Sequence, residues 1–387
     1  MIPASIDDYR EMARRRLPHF LFEYIDGGSY AQATLRRNVD DLADIALRQR
    51  VLRDVSKIDL STTLFGAKQA LPVILAPIGL GGLTARRGEI QAVKAAHAAN
   101  VPFCLSTVSV CPIAEVHRGG GVPFWFQLYM IRDRGFMREL LAEAKKVACP
   151  VLVFTVDMPQ PGQRYRDYRS GLAGAPGMMG RLRRTWQAMK RPDWAWDVGV
   201  NGGPHTLGNL APVLGNKSGI EDFFAWMAAN FDPSCTWKDL DWIRETWDGP
   251  LILKGILDAE DAEAAAKLGA DGIIVSNHGG RQLDGVLSTA QALPPIAAAV
   301  GDKLTVLADG GVRSGLDVVR MIAMGAKGVM LGRAWAYAMG ARGGAGVSHM
   351  LEIIRKEMSI AMTLTGHTHL DEVGASSIQN LSRGLKE

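Results

Sequence analysis

The chain has 387 residues, 47% of them hydrophobic, and a formal net charge of +4 at pH 7. This length accommodates one (β/α)8 barrel of roughly 250 residues with long insertions, or two ordinary domains. The net charge is small, whereas nucleic-acid-binding proteins typically carry a strong excess of basic residues. We therefore expect no nucleic-acid partner.

The cysteines and histidines give no sign of a disulfide or of a metal site. Cys104, Cys111, Cys149 and Cys235 form no C-x-x-C pair, and no histidine cluster stands at metal-ligand spacing. The sequence therefore predicts free thiols in a reducing compartment and no bound metal.

The N-terminal segment MIPASIDDYREMARRRL lacks the apolar core of a signal peptide. The longest apolar stretch, 71–83, is shorter than the ~18 residues that a membrane-spanning helix needs, and proline and glycine interrupt it. We therefore expect no signal peptide and no transmembrane helix. The expected location is the cytoplasm or the cytoplasmic face of the inner membrane.

Eight short apolar runs recur along the chain, with amphipathic segments between them. Most runs are continuously apolar, as in strands that are buried on both faces of a parallel sheet. Among the segments between them, 258–269 has suitable helix caps in Asp258 and Gly269. The runs are LPVILAP (71–77), VPFCLST (101–107), PFWFQLY (123–129), VLVFTVD (151–157), LILKGI (251–256), GIIVSN (272–277), TVLADG (305–310) and GVMLGR (328–333).

This alternation predicts an α/β fold, specifically a (β/α)8 TIM barrel in a single domain. A doubly wound open sheet is the alternative, because a sequence does not show whether a sheet closes. No GxGxxG motif follows the first run, which disfavours the dinucleotide-binding form of that alternative. The predicted parts of the domain (1–387) are a helical N-terminal extension (1–70), the barrel (71–157 and 249–365), a long insertion after strand 4 (158–248) and a tail (366–387).

Polar residues stand where six of the predicted strands end. In a (β/α)8 barrel the chemistry collects at the carboxyl ends of the strands. One such residue would be an ordinary hydrogen-bonded barrel residue, but six strands sharing the pattern indicate a site. These residues are Ser106, Thr107, Gln127, Tyr129, Thr155, Asp157, Lys254, Ser276, Asn277, His278 and Asp309.

The last two strands run into glycine-rich turns, DGGVRSG (309–315) and LGRA (331–334). Glycines let backbone N–H groups approach an anion, and the helix N-termini that follow favour negative charge. Arg313 and Arg333 add positive charge at the place where many barrels bind phosphate. The alternative is a pair of tight turns with surface arginines.

SNHGGRQLDG (276–285) is the most specific motif in the chain. His278 follows a buried strand directly, and a lone histidine there is more often structural than catalytic. At one barrel mouth, however, Asp157 would orient the imidazole, and Arg164 and Arg281 would bind a carboxylate bidentately. Lys254 lies within an apolar strand, so it needs an anionic partner, either a carboxylate or an electron-rich cofactor.

At these residues the sequence resembles the family of FMN-dependent L-2-hydroxy acid oxidases and dehydrogenases. The resemblance covers nearly the whole chain, from FEYIDGG (22–28) and LRRN (35–38) to LGRAWAYA (331–338). Its most specific segments are FTVDMPQPGQRYRD (154–167), ILKGI (252–256), SNHGGRQLDG (276–285) and DGGVRSGLDVVR (309–320).

The resemblance implies FMN as cofactor and a role for each matching residue. His278 would be the active-site base and Asp157 its partner, whereas Lys254 would lie beside the flavin N1 and C2 oxygen. Tyr24, Tyr129, Arg164 and Arg281 would bind the substrate. Pro77, Ile78, Gly79, Ser106, Gln127, Thr155 and Ser276 would line the flavin, and Asp309, Gly310, Gly311, Arg313, Gly332 and Arg333 would hold its ribityl and phosphate groups.

Two segments, RYRDYRSG (164–171) and DWAWDVG (193–199), look like the bacterial quinone-linked L-lactate dehydrogenase branch of the family. That likeness implies oxidation of L-lactate to pyruvate, a membrane quinone or respiratory chain as electron acceptor, and a homotetramer. The alternatives are a peroxide-forming glycolate or lactate oxidase and a mandelate dehydrogenase. A flavin-binding isomerase is less consistent with the His278, Arg164 and Arg281 set. The residues Tyr24, Tyr129, His278 and Asp157 argue against a non-catalytic membrane-binding protein that keeps FMN as structure.

The insertion contains a basic, tryptophan-rich segment near 176–200. In GRLRRTWQAMKR (180–191), Leu182, Trp186 and Met189 fall on one helical face, and cations occupy much of the rest. This pattern is typical of a helix that lies on an anionic membrane surface. The alternative is a solvated basic loop whose aromatic residues pack on the barrel or on another subunit.

Overall fold

The chain folds around a barrel of eight parallel strands. The computed structural model describes residues 2–175, 177–214 and 220–379. All eight predicted runs form strands, in the order β3-β10-β9-β8-β7-β6-β5-β4, and a parallel bridge between Leu75 and Phe103 joins the two ends. The strands are β1 (Thr62–Leu64), β2 (Ala67–Gln69), β3 (Val73–Leu75), β4 (Cys104–Ser106), β5 (Trp125–Tyr129), β6 (Leu152–Thr155), β7 (Leu251–Ile256), β8 (Gly272–Val275), β9 (Thr305–Ala308) and β10 (Gly328–Leu331).

Helices surround the barrel and fill the extension and the insertion. In α13, Asp258 accepts a hydrogen bond from the backbone of Glu260, as an N-cap should, and Gly269 follows with a φ of +82°. The helices are α1 (Ile6–Arg16), α2 (His19–Asp26), α3 (Ala33–Ala43), α4 (Gly88–Ala98), α5 (Ile113–Gly120), α6 (Arg134–Lys146), α7 (Tyr165–Ser170), α8 (Gly177–Met189), α9 (Pro192–Trp194), α10 (Ala211–Leu214), α11 (Ile220–Asn230), α12 (Asp241–Thr246), α13 (Ala259–Lys267), α14 (Thr289–Val300), α15 (Gly315–Ala323) and α16 (Arg333–Thr365).

The strands give the barrel interior an apolar lower half and a polar mouth. Val153, Ile252 and Leu307 face the interior of the barrel. Because side chains alternate along a strand, the residue two positions after each of them also faces inward. These following positions are Thr155, Lys254 and Asp309, at the carboxyl ends of their strands. The (β/α)8 prediction is confirmed, and the period of two explains why polar groups of distant strands meet.

The N-terminal extension is helical only in its first part. Helices α1 to α3 confirm that prediction as far as Ala43, but β1 and β2 form an antiparallel hairpin where further helix was expected. Phe65 and Gly66, with φ of +48° and +79°, make its tight turn. Leu64 and Phe65 pack into the apolar cluster inside the barrel, which the hairpin closes at the end opposite the site.

The insertion after β6 runs from the carboxyl end of the fourth barrel strand to β7. It includes the predicted helix over 180–191, which the structure shows as α8, and a π-helical turn at Ala195–Val200. No helix among the described residues is long and apolar enough to cross a membrane.

Candidate active site

A cleft with about 1030 Å³ of space, partly open to solvent, lies at the carboxyl ends of the barrel strands. Sixteen of the predicted site residues line it, although they come from segments as far apart as α2 and α16. They are Tyr24, Pro77, Ile78, Gly79, Tyr129, Thr155, Arg164, Lys254, His278, Arg281, Asp309, Gly310, Gly311, Arg313, Gly332 and Arg333.

His278 and Asp157 form a hydrogen-bonded pair at this cleft. Nδ1 of His278 lies 3.0 Å from Oδ1 and 3.2 Å from Oδ2 of Asp157. His278 has a φ of +57°, in the left-handed region, and its backbone N–H donates to the hydroxyl of Ser276. Such a conformation is unfavourable for a non-glycine residue, so it persists only where surrounding contacts hold it. The turn thus fixes the direction of the imidazole.

The electrostatics of the cleft favour the neutral form of the imidazole. Burial lowers the pKa of His278, with Lys254 and Arg164 acting in the same direction against the opposing effect of Asp157. Burial raises the pKa of Asp157, but the nearby His278 and Lys254 outweigh it, so the net shift is downward. With Nδ1–H donated to a carboxylate, Nε2 carries the free lone pair. An imidazole in this arrangement can act as a general base.

Arg164 and Arg281 place two guanidinium groups beside the histidine. Arg164 is only 6% exposed, and burial together with the charge of Arg281 lowers its pKa to about 10. Its Nε donates to the carbonyl of Arg281, and the Arg281 guanidinium lies 4.8 Å from the centre of the Tyr24 ring. Arg164 is buried and Arg281 is partly exposed, and the one carboxylate of Asp167, 3.9 Å from Nη1 of Arg164, stands against two guanidinium charges. An anion is therefore favoured in the cleft beside them.

Lys254 forms an ion pair with Asp309, the residue that follows β9. Its Nζ lies 2.8 Å from Oδ2 of Asp309 and donates to the Ser276 hydroxyl at 2.6 Å. Burial lowers the pKa of Lys254, but Asp309 and Asp157 more than compensate, so the pKa is raised overall. The lysine is therefore a fixed positive charge at the base of the cleft.

A hydrogen-bonded layer lies behind the cleft wall. Gln127 donates to the Thr155 hydroxyl at 2.9 Å and accepts from the Ser106 hydroxyl and the Thr107 backbone, both at 3.2 Å. Ser106, Gln127, Ser276 and Asp157 are thus placed next to the site without lining the main cleft. They hold the residues that do line it.

The glycine-rich turns form one end of the cleft. Gly310 and Gly311 have φ of +93° and +86°, and a Cβ on Gly311 would lie 1.8 Å from the Asn38 carbonyl oxygen. Arg333 donates to the carbonyls of Ile25, Gly27 and Gly279, and its pKa falls to about 9, mainly through burial. A guanidinium has five N–H donors, so capacity for an anion remains.

These features fit a bound flavin mononucleotide. Oδ1 of Asp309 is buried without a hydrogen-bond partner among the described residues, which suits a hydroxyl donor such as a ribityl group. Gly332, at the start of α16, has open space where a side chain would stand. An open helix N-terminus beside arginine side chains suits a phosphate.

Several lining residues were not predicted as site residues. Met158 and Met227 border the same cleft as Tyr129. Met227 belongs to α11 in the insertion, where no sequence pattern distinguishes it. The others are Ile25, Ala76, Gly279, Val312, Met330 and Ala336.

The fold and the cleft define a flavin-dependent barrel enzyme, and comparison with known proteins agrees. A family model described as FMN-dependent dehydrogenase matches residues 13–380. The chain belongs to this family, and its cofactor is FMN.

The names of similar proteins are more specific than the description of the family. An L-lactate dehydrogenase of Caulobacter sp. (strain K31) is 67% identical over 383 residues, which is 99% of this chain and 100% of that protein. An L-lactate dehydrogenase of Caulobacter vibrioides (strain NA1000 / CB15N) is 67% identical over 95% of each chain.

Solved structures show the same fold. The monotopic membrane protein (S)-mandelate dehydrogenase superposes with a TM-score of 0.92 at 32% identity, covering 98% of this chain and 100% of that one. A mandelate oxidase with (S)-4-hydroxymandelic acid gives a TM-score of 0.84 at 34% identity, covering 97% and 98%.

Proposed function

We propose that this protein oxidises L-lactate to pyruvate and delivers the electrons to a membrane quinone. One observation carries the proposal: His278, oriented by the carboxylate of Asp157, shares a cleft with the Arg164 and Arg281 pair. A base next to a carboxylate-binding pair fits a 2-hydroxy acid. Relatives named L-lactate dehydrogenase, 67% identical over nearly the whole chain, favour lactate within that class.

The arginines would bind and orient the substrate. The carboxylate of lactate would compensate the charges of the buried Arg164 and the partly exposed Arg281, since the charge of Arg281 disfavours that of Arg164. Tyr24 and Tyr129 border the same space and carry hydroxyls that can bond the substrate. Carboxylate and hydroxyl contacts together leave one orientation in which C2 and its hydroxyl face His278.

His278 would remove the proton that the oxidation releases. Nε2 takes the proton, and the resulting imidazolium is stabilised by the carboxylate of Asp157. When bound, FMN would supply the acceptor for the two electrons and for the second proton that the oxidation releases. Lys254, fixed by Asp309, supplies positive charge beside the position proposed for the isoalloxazine ring.

The apolar part of the cleft favours a small substrate side chain. Val108, Met158 and Met227 line it, and Val108 closes against Gly79, where an added Cβ would lie 2.8 Å from a Val108 methyl. A methyl group suits such an apolar surface.

Anaerobic flavin bleaching tests the proposal. The FMN-loaded protein is mixed with L- and D-lactate, glycolate, L-2-hydroxybutyrate and L-mandelate, and loss of the oxidised flavin absorbance is recorded. We expect bleaching to be fastest with L-lactate and absent with D-lactate. Failure of every 2-hydroxy acid to bleach the flavin would overturn the proposed reaction. Equal steady-state rates with oxygen and with quinone or dye acceptors would instead favour an oxidase.

We also propose that α8 docks the protein on the cytoplasmic face of the inner membrane. Leu182, Trp186 and Met189 are 57%, 58% and 58% exposed, and Met178 is 78% exposed. Large apolar side chains with this exposure are uncommon together on a surface. The surrounding basic residues are Arg181, Arg183, Arg184, Lys190 and Arg191.

Vesicle sedimentation tests the docking. We expect the protein to pellet with vesicles that contain anionic lipid, and Leu182→Ser with Trp186→Ser to reduce the bound fraction. The control is Val51→Ser with Leu52→Ser, because these residues are 71% and 103% exposed but lie outside the insertion. Equal binding of all three proteins would contradict docking through α8. The predicted tetramer remains a prediction.

A further inference from the structure

A short segment of the insertion packs against the loop that follows β4. The backbone N–H of Gly208 donates to the Ser109 carbonyl at 3.1 Å, and a Cβ on Gly208 would lie 2.4 Å from Cδ of Pro112. Leu207 and Leu210, on either side, are 5% and 0% exposed. Only glycine permits this approach, so the segment 207–210 and the loop 106–113 are in close contact.

Asn209 makes four hydrogen bonds to that loop. The two N–H donors of its amide are shared among three acceptors, the carbonyls of Ser106 and Thr107, both 3.3 Å from the nitrogen, and the Ser109 hydroxyl at 3.1 Å. Its amide oxygen accepts from the backbone of Ile113 at 2.9 Å. Asn209 is only 3% exposed. Both ends of the amide therefore bond one loop, across about 100 residues of sequence separation.

The donor end of the amide is what the loop requires. Two of its three partners are carbonyl oxygens, which only accept. The third, the Ser109 hydroxyl, already donates its proton to the Cys111 carbonyl at 2.7 Å, so it too accepts. A carboxylate of the same shape would place negative charge against three acceptors. Asparagine and aspartate thus differ here in hydrogen bonding while they match in size.

The loop that Asn209 holds carries one wall of the active site. Val108 stands between the bonded residues and lines the cleft on the side of Gly79. The Ser106 hydroxyl accepts from the Val108 backbone at 3.2 Å and bonds Gln127 at the same distance. A shift of the loop would therefore move Val108 first, while His278 and Asp157, on other strands, stay in place.

We propose that Asn209 is a positioning residue that sets the size of the substrate side-chain pocket by holding Val108 in place. The inference rests on the proposed oxidation of a 2-hydroxy acid in this cleft. It gives the insertion a role in substrate selection in addition to its surface helix. Because the base and the carboxylate-binding arginines do not contact Asn209, its loss acts on substrate fit and leaves proton removal intact.

Steady-state kinetics of Asn209→Ala with two substrates test this role. We expect KM for L-lactate to rise about tenfold, the order for a lost buried hydrogen bond, with kcat within about twofold of wild type. The kcat/KM ratio of L-2-hydroxybutyrate to L-lactate should rise about fivefold, as the wall yields to one more methylene. Asn209→Asp should reproduce the rise in KM despite its equal size.

Asn201→Ala is the matched control. Asn201 lies in the same insertion and is exposed. Among the described residues, its side chain has one hydrogen bond, which the amide nitrogen donates to the Trp196 carbonyl at 2.8 Å. It should leave KM and substrate preference unchanged. Val108→Ala should shift the preference in the same direction as Asn209→Ala, and the two shifts should not add in the double variant.

The outcomes separate this inference from the proposed function. If wild type oxidises no 2-hydroxy acid, the proposed function fails. If wild type is active and Asn209→Ala or Asn209→Asp keeps its KM and preference, the positioning role fails. If Asn209→Ala does not fold or bind FMN, the milder Asn209→Ser is measured in its place. If Asn209→Ser has the KM and the substrate preference of wild type, the proposal is also overturned. The same holds if Asn209→Ser does not fold.

Discussion

Asp157→Asn tests the link between structure and mechanism most directly. The substitution keeps the size of the side chain and removes the charge that lies 3.0 Å and 3.2 Å from Nδ1 of His278. Once Nε2 has taken a proton, opposite charges centred about 4 Å apart attract by about 4 kcal/mol at an effective dielectric constant of 20. Since 1.36 kcal/mol corresponds to tenfold in rate, we expect kcat to fall by about 10³-fold.

The same substitution should change the pH profile in a defined direction. Asp157 raises the pKa of His278 against the larger, opposing effect of burial, so its loss lowers that pKa further. The base is active when neutral, that is, above its pKa. The acidic limb of the kcat/KM profile should therefore move to lower pH while the plateau falls.

Anaerobic flavin reduction by L-lactate, followed by absorbance from acidic to neutral pH, measures both effects. Asp258→Asn is the control, because Asp258 caps α13 away from the cleft and asparagine is an equally good N-cap. A rate for Asp157→Asn within tenfold of wild type, or an acidic limb that moves to higher pH, would refute the proposed role of the pair.

Three further predictions concern the rest of the site. His278→Gln should keep FMN bound, seen in the flavin spectrum, and lose most turnover; retained turnover would remove the base assignment. Arg164→Lys should raise KM for L-lactate by about tenfold or more, because a lysine cannot bond a carboxylate bidentately, and an unchanged KM would contradict the carboxylate contact. Asp309→Asn should weaken FMN binding in a fluorescence titration. The substitution removes the ion pair that keeps Lys254 charged, and it removes a carboxylate oxygen that is free to accept a hydrogen bond from the cofactor. An unchanged affinity for FMN would contradict a contact between Asp309 and the cofactor.

The basic segment shows how far a sequence pattern alone can be interpreted. Trp194 and Trp196 stand two residues apart in the same tryptophan-rich stretch, yet Trp194 is 7% and Trp196 is 68% exposed. The difference arises because the Trp194 indole donates to the Leu83 carbonyl at 2.7 Å and packs into the core. Composition treats both as membrane-facing, whereas their neighbours in the fold assign only one to the surface.

The amino-acid sequence by itself determined the eight strands and the polar residues at their ends. Short apolar runs bounded by glycine and proline are local signals, and the alternation of side chains fixes which residues share the interior with Val153 and Ile252. The family resemblance added the roles of the individual residues, because the motifs 276–285 and 309–320 are specific enough to align them.

Only the tertiary structure decided how those residues are paired. The pairing of β7, β8 and β9 side by side in the barrel brings Asp309 to Lys254, and the insertion folds back so that Asn209 bonds the loop of Val108. Each of these contacts joins segments that lie far apart along the chain. Their geometry depends on how strands twist and close and on which surfaces an insertion covers, and these are properties of the whole packed chain.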